Sequence, residues 1–215
     1  MPPSIKFWYA PGACSLAPHI ILNELNLPYQ PHPLAVLQGA PPELFKINPK
    51  GRVPVLSVDD DIITEVPAIF TALAQLDDAD RHLLGRTPLD IVRSYEWMNW
   101  ISGTLHGQAF GGLLRPGRYI EDEELFPAVR DKALKTVVEC YDTVEGRLKG
   151  VNAVGDGFTV VDAYLYVFWR WACMKGLDMA VKYPKYAALV AEVVKRDAVR
   201  KTLEIEEIEA YGPKL

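Results

Sequence analysis

The sequence predicts an α/β domain followed by an all-α domain. As far as residue 76, short apolar or alternating runs that are typical of strands are interspersed with short helical patterns and many prolines. A polar, aspartate-rich stretch without apolar periodicity follows at residues 77–88, and every patterned segment beyond it has helical spacing. We therefore expect domains at residues 1–76 and 89–215, the second a helical bundle, joined by a linker at 77–88.

The first domain has an order of elements that is typical of the thioredoxin-like fold. Pro31 and Pro33 place its second strand at a sheet edge, because proline cannot donate to a central ladder. Pro67 lies in the first turn of its last helix, where a missing N–H costs least. The predicted order is β-α-β-α-β-β-α, at residues 5–9, 15–25, 29–34, 41–45, 53–58, 61–64 and 66–76.

The second domain is predicted to contain helices only. Its third helix is so apolar, from Ala163 to Met174, that we expect it at the centre of the domain. Thr159 and Asp162 have the spacing of a capping box, in which the Asp carboxylate reaches back to the Thr N–H. The predicted helices span residues 89–105, 123–148, 162–175, 184–195 and about 198–208.

Composition excludes several classes of protein. With 49% hydrophobic and 24% charged residues, the chain resembles an ordinary soluble globular protein. A net charge of −5 and the absence of a basic run argue against nucleic acid or an anionic membrane as the main partner. No run approaches the ~20 apolar residues of a membrane span, and the N-terminus has no signal-peptide pattern.

Cysteine usage indicates a reducing compartment and one candidate reactive thiol. Cys14, Cys140 and Cys173 are too widely spaced for a disulfide framework or a metal cluster, so we expect a cytoplasmic protein without a metal site. Cys14 lies between the first strand and the first helix. There a helix N-terminus can lower the thiol pKa and give a nucleophile or a thiol-binding site. The alternative is a small apolar side chain packed under the turn, and position alone favours neither.

A second motif precedes the third strand. In Asn48-Pro49-Lys50-Gly51-Arg52-Val53-Pro54, a proline enters a strand after a glycine-containing turn, which makes Val53–Pro54 a candidate cis peptide. A cis-proline at this point of a thioredoxin-like fold keeps the preceding residue out of the sheet. The backbone of Val53 can then pair with an extended, peptide-like ligand.

Together these motifs resemble the glutathione transferases, and specifically the bacterial beta class. The resemblance covers essentially the whole chain. It implies a thioredoxin-like domain that binds glutathione as co-substrate, a helical domain that binds the second substrate, and a homodimer. It is carried by residues 9–19, 48–54, 64–65, 97–101, 158–164 and 196–200, together with His106.

The resemblance assigns roles to individual residues. In the beta class, the cysteine that matches Cys14 lies beside the glutathione sulfur and can form a mixed disulfide with it. The residue that matches Val53, before Pro54, pairs its backbone with the cysteinyl part of the tripeptide. The acid that matches Glu65 binds the α-amino group, and the residue that matches Asn99 approaches the sulfur from the helical domain.

His106 and Ser15 are further candidates for contact with the thiol. The resemblance makes His106 a hydrogen-bond donor or proton acceptor, since the pKa of a free histidine is close to working pH. The alternative for His106 is a packing role. Ser15 directly follows Cys14 and is its rival, because in other classes a serine or tyrosine of the first domain activates the thiol.

Several positions depart from the family pattern. Val66 stands where a serine usually holds the γ-glutamyl carboxylate, so only its N–H remains, and Gly107 replaces a lysine. The loop at 34–39 has no cation. Each lost charge-assisted hydrogen bond removes about 1.5–3 kcal/mol of binding.

Two functions therefore stay open. The first is an enzyme that conjugates glutathione to a small apolar electrophile, or reduces mixed disulfides and peroxides through Cys14. The second is a binding or scaffold protein with weak or lost glutathione affinity. For the enzyme, the predicted walls of the second pocket are Phe110, Leu113, Leu114 and Tyr119.

Overall fold

A four-stranded mixed sheet organises the N-terminal part of the chain in the computed structural model, which describes residues 3–36 and 39–213. Its strands are β1 (Ile5–Tyr9), β2 (Gln30–Pro33), β3 (Val55–Val58) and β4 (Asp61–Thr64), in the order β2-β1-β3-β4. β2 runs parallel to β1, whereas the other pairs are antiparallel. The proline-containing strand lies at an edge, as its sequence predicts.

Three helices complete this part: α1 (Leu16–Leu25), α2 (Pro42–Ile47) and α3 (Val66–Gln75). The first strand alternates buried and half-buried residues, so one face of it packs inward. Phe7, Ile20 and Phe70 are fully buried in the core that the sheet shares with α1 and α3. The element order confirms the predicted thioredoxin-like topology.

The first helix of the C-terminal part is longer than predicted. α4 (Pro88–Trp100) continues as a π-helical segment (Ile101–Phe110) and then as α5 (Gly111–Leu114), instead of ending near residue 105. The glycines in this segment weaken the helical signal, because glycine is a poor helix former. π-Helical turns are frequent at functional sites, and this one carries His106.

The remaining helices are α6 (Phe126–Arg147), α7 (Val160–Met174), α8 (Met179–Lys182), α9 (Pro184–Val193) and α10 (Asp197–Ile205). Nearly every residue of α7 is buried, which confirms its predicted central position. At its start, the Asp162 carboxylate accepts from the Thr159 N–H and from the Ala153 N–H, each at 2.7 Å. Burial nevertheless raises the pKa of Asp162 to about 6.

The segment predicted as a linker is partly packed. Leu83 is buried and its carbonyl accepts the Val160 N–H at 2.9 Å, while the Ser94 hydroxyl donates to the Leu84 carbonyl at 2.9 Å. These contacts hold the segment against the helices, although its composition is that of an exposed connection. The exact boundaries 1–76 and 89–215 stay a prediction. Among the described residues, no helix has the length and apolar character that crossing a membrane requires.

Candidate active site

The loop between β1 and α1 is closed by Ser15. The Ser15 hydroxyl is fully buried; it accepts from the Ala10 N–H and donates to the Ala10 carbonyl, both at 3.1 Å. A hydroxyl whose donor and acceptor are both occupied in this way shapes the loop. The role of Ser15 as a thiol-contacting group stays a prediction.

Gly12, in the same loop, is held from the helical part of the chain. Its N–H donates to Glu206 Oε2 at 2.8 Å, and its carbonyl accepts from Trp171 Nε1 at 2.8 Å. Its φ of +69° is one that glycine adopts without strain. Glu206 and Trp171 thus fix the loop that carries Cys14. Sequence analysis missed both residues, since no local pattern marks a contact between segments so far apart in the chain.

Cys14 is a buried, neutral thiol. Its Sγ donates to the Val53 carbonyl at 3.6 Å, a long contact with sulfur as the donor. Burial raises the pKa of Cys14 to about 12, and the lowering effects of nearby backbone N–H groups and of Arg115 are smaller. The expectation of a lowered pKa is wrong, because removal of the thiol from water outweighs the helix N-terminus.

The Val53–Pro54 peptide is cis, as the motif predicts. Asn48, which is buried, organises the turn before it: its Nδ2 donates to the Arg52 carbonyl at 2.7 Å and its Oδ1 accepts from the Lys50 N–H at 3.2 Å. β3 begins only at Val55. The backbone of Val53 therefore lies beside the Cys14 thiol instead of within the sheet.

Glu65 lies at the start of α3 in a strained backbone conformation. Its φ is +73°, a value that costs a non-glycine residue about 1–3 kcal/mol and that clusters at functional sites. Its side chain is exposed and pairs with Lys50 Nζ at 2.5 Å, while Lys50 also donates to Thr64 Oγ1 at 2.8 Å. The side chain of Val66 is buried in the core. The Val66 N–H occupies the first position of α3, where a helix offers no intrahelical acceptor.

His106 faces aromatic rings and positive charge. Its ring centroid lies 5.5 Å from that of Trp171 and 5.7 Å from that of Phe168. Burial, followed by the charges of Arg118 and Arg115, lowers the pKa of His106 to about 4. His106 is therefore neutral at pH 7, and the expectation of a pKa near working pH is corrected.

Among the described residues, Asn99 forms no hydrogen bond with Cys14, Val53, Glu65 or His106. It is exposed on α4, and its Nδ2 donates to the Tyr95 carbonyl of its own helix at 2.8 Å. Phe110, predicted as a pocket wall, is buried in the aromatic core, with its ring 5.1 Å from that of Trp171. Leu113 is half-buried, and Leu114 and Tyr119 are exposed beyond it.

Three arginines that sequence analysis did not select surround the group. Arg52 precedes Val53, Arg115 directly follows α5, and Arg118 ends the 3₁₀ turn Pro116–Arg118. The charge of Arg115 acts on both Cys14 and His106, lowering the pKa of each. Within residues 3–36 and 39–213, no cluster of His, Cys, Asp and Glu has the composition of a metal site.

The comparisons with known proteins give this arrangement a family. The family models described as glutathione S-transferase N-terminal domain and C-terminal domain match residues 12–76 and 118–197. The glutathione S-transferase GstA of Escherichia coli is 34% identical over 210 residues, which cover 94% of this chain and 98% of that protein. The chain belongs to the glutathione S-transferase family.

Solved structures of glutathione transferases match nearly the whole chain. A homolog from Sulfitobacter, solved with bound glutathione, has a TM-score of 0.87 at 28% identity, covering 94% of this chain and 98% of its own. The beta-class enzyme of Sphingomonas chungbukensis has a TM-score of 0.82 at 28% identity, covering 95% of this chain and 100% of its own. The resemblance to the beta class inferred from sequence is confirmed.

Two of the positions at which the sequence departs from the glutathione S-transferase pattern, Val66 and Gly107, have structural explanations. Val66 contributes its side chain to the core, in place of a hydroxyl at the helix terminus. The Gly107 carbonyl accepts a hydrogen bond from the Tyr119 hydroxyl. A Cβ on Gly107 would lie 3.1 Å from the Ser102 carbonyl oxygen. A lysine at this position would therefore crowd the π-helical segment. The loop at 34–39, expected to lack a cation, lies partly outside the described residues.

Proposed function

We propose that this protein is a glutathione transferase that transfers the glutathione thiolate to a small electrophile. The observation that carries the proposal is the backbone of Val53, which lies before the start of β3 with its carbonyl 3.6 Å from Cys14 Sγ. An extended thiol peptide can pair with this backbone and place its sulfur next to Cys14. Two relatives that are each 34% identical to this chain carry the name glutathione S-transferase.

The chemistry of glutathione fits the charges around Val53. Its α-amino group needs an acid, which the exposed carboxylate of Glu65 supplies. Its γ-glutamyl carboxylate needs a donor, and the free N–H of Val66 at the start of α3 is suited to an anion. Its thiol needs positive potential nearby, which Arg115 provides. The missing cations of the family pattern therefore weaken the site without removing its binding groups.

The states of the side chains favour conjugation over thiol exchange. A nucleophilic cysteine must reach the thiolate form, and a thiol with a pKa of about 12 is almost entirely protonated at pH 7. As a neutral group, Cys14 can donate its S–H to the glutathione sulfur, and neutral His106 can accept a hydrogen bond from it. Conjugation then requires orientation and thiolate stabilisation, both of which a preorganised site can supply.

Calorimetric titration of the reduced protein with glutathione tests the proposal. Saturable binding at micromolar to low millimolar concentration supports the enzyme. The Cys14→Ala variant is titrated in parallel, so that binding is separated from covalent capture. Absence of heat and of competition at tens of millimolar would favour the scaffold alternative, in which the fold has lost its co-substrate.

The proposal includes an assembly and a compartment. We infer a homodimer from the exposed apolar side chains of Leu89 and Val92, which lie three positions apart on one face of α4. Sedimentation of the wild type against a Val92→Glu variant tests it. We place the protein in the reducing cytoplasm, because Cys14, Cys140 and Cys173 are all free thiols. Residues 1–76 would supply the glutathione site and residues 89–215 the site for the electrophile.

A further inference from the structure

Arg115 and Arg118 are held over the helical segment that carries His106. Arg115 precedes the short 3₁₀ turn Pro116–Arg118, and Arg118 is the last residue of that turn. The hydroxyl of Tyr119 closes the turn by donating to the carbonyl of Gly107, the residue after His106. Gly111 makes room for this contact, since a Cβ at that position would collide with the Tyr119 hydroxyl. The Tyr119 hydroxyl thus tethers the turn next to both arginines to the residue that follows His106.

The charges of these two arginines are not neutralised by the described residues. Neither Arg115 nor Arg118 takes part in any ion pair among residues 3–36 and 39–213, whereas Arg81, Arg93 and Arg196 each do. Both side chains are exposed. Like charges held close together repel, and an anion that binds between them relieves that repulsion. A planar guanidinium also matches the two oxygens of a carboxylate.

The apolar surface next to the arginines defines the rest of the ligand. Leu113 and Leu114 precede Arg115 at the end of α5, and Leu114 is exposed. The Trp171 ring, whose centroid lies 5.5 Å from that of His106, adds an aromatic surface. A ligand with an aromatic body and a carboxylate therefore matches this end of the site better than a wholly apolar one.

We propose that Arg115 and Arg118 bind the carboxylate of the second substrate, so that the preferred electrophiles are aromatic or activated halides carrying an anionic group. This inference rests on the proposed transferase function. In the reaction, the glutathione thiolate attacks the carbon that bears the halogen. A C–S bond forms, the C–halogen bond breaks with its electron pair leaving as halide, and the thiol proton passes to the solvent.

Glutathione itself offers a second carboxylate, that of its glycyl residue. Arg52 immediately precedes Val53, on the side where the tripeptide pairs, and is the natural partner for it. The experiment must therefore separate a carboxylate on the electrophile from the carboxylate on the co-substrate. Comparison of glutathione with γ-glutamylcysteine, which lacks the glycyl group, makes this separation.

Binding is measured first, because it does not require turnover. The wild type, with and without glutathione, is titrated with 3,5-dinitrobenzoate and with neutral 3,5-dinitrobenzamide. We expect the anion to bind at least tenfold more tightly than the amide. Arg115→Met and Arg118→Met should each raise the Kd of the anion about tenfold, as expected for loss of one charge-assisted hydrogen bond. The Kd of the amide should stay within about twofold of the wild-type value. Arg86→Met, which removes an exposed arginine paired with Asp156, is the matched control and should change neither.

Turnover is measured with 4-chloro-3,5-dinitrobenzoate and its methyl ester. We expect the two arginine variants to lower kcat/KM for the anion about tenfold more than for the ester, because a weaker field at the thiolate slows both electrophiles whereas loss of the carboxylate contact affects only the anion. Equal losses for both electrophiles, or equal binding of the anion and the amide by the wild type, would overturn the inference. Loss of the preference for glutathione over γ-glutamylcysteine in Arg115→Met or Arg118→Met would also overturn it. Failure of glutathione to bind at all refutes the proposed function instead.

Discussion

Replacement of Glu206 by alanine should destabilise the protein and loosen the loop that carries Cys14. The carboxylate is buried, lies 2.6 Å from His19 Nδ1, and accepts the Gly12 N–H at 2.8 Å. A carboxylate only accepts, so we assign the proton of His19 to Nδ1 and let Nε2 accept from the Tyr29 hydroxyl at 2.7 Å. Glu206 therefore accepts from the fully buried His19 on α1 and from the half-buried Gly12 in the loop before that helix.

The magnitude follows from those two donors. A buried donor left without a partner costs about 1–3 kcal/mol, and Glu206→Ala removes the partner of one fully buried donor and one half-buried donor. We therefore expect Glu206→Ala to lower the free energy of unfolding by about 2–4 kcal/mol. Glu206→Gln keeps one acceptor oxygen and should cost about 1–3 kcal/mol.

Urea unfolding followed by tryptophan fluorescence measures the loss in the free energy of unfolding, provided that the dependence of this free energy on urea concentration has the same slope in variant and wild type. Glu204→Ala, at an exposed position on the same helix, is the control and should stay within about 0.5 kcal/mol of wild type. The milder Glu206→Gln variant should also show a raised KM for glutathione, because the Gly12 loop positions Cys14. A loss below about 1 kcal/mol for Glu206→Ala would refute the view that this carboxylate anchors the loop.

Four further predictions concern the site itself. His106 has a folded pKa of about 4, below its unfolded value, so the unfolded state binds more protons between pH 6.5 and 4. As the pH falls from 6.5 to 4, the free energy of unfolding of the wild type should therefore fall by about 3 kcal/mol relative to that of His106→Asn, as measured by urea titrations at each pH. A difference between the two proteins that does not change with pH would contradict this prediction. Cys14 should react with iodoacetamide at pH 8 more slowly than half-buried Cys173, as read by peptide mass spectrometry; faster labelling of Cys14 would contradict its raised pKa. Cys14→Ala should abolish thiol exchange with glutathione disulfides while only reducing conjugation, and equal loss of both would indicate one shared covalent step. Val66→Ser should tighten glutathione binding about tenfold by calorimetry but lower the free energy of unfolding by about 1.5–3 kcal/mol, since Val66 is buried. Unchanged affinity would mean that the γ-glutamyl carboxylate binds elsewhere.

The parts of the fold that the sequence predicts are those with local causes. Pro31 and Pro33 in β2, the cis candidate at Pro54 and the wholly apolar α7 are each marked by residue types whose constraints act within a few positions. The extension of α4 through the π-helical segment is not predicted, because its glycines weaken the helical pattern. Those glycines admit the Tyr119 hydroxyl, a contact that only the folded chain reveals.

The electrostatics of the site could not be predicted from the sequence for a related reason. A cysteine before a helix predicts a lowered pKa only if its thiol stays near water, and burial of Cys14 reverses the sign. Likewise, the pKa of His106 depends on arginines that the chain brings back over it. The two anchors of Gly12, Glu206 and Trp171, come from helices near the far end of the chain.

The resting site holds both of its candidate reactive groups in neutral form, and this limits how a bound thiol can be activated. Cys14 is protonated at pH 7 and His106 is unprotonated, so neither contributes a formal charge. A base with a pKa of about 4 takes a proton from a thiol only at a steep cost, because each pKa unit of mismatch is about 1.4 kcal/mol. Stabilisation of a glutathione thiolate therefore depends on the field of Arg115 and Arg118, with the S–H of Cys14 as a direct donor. The same two arginines that would select an anionic electrophile would also stabilise the nucleophile, which ties substrate preference to thiol activation in one short turn of the chain.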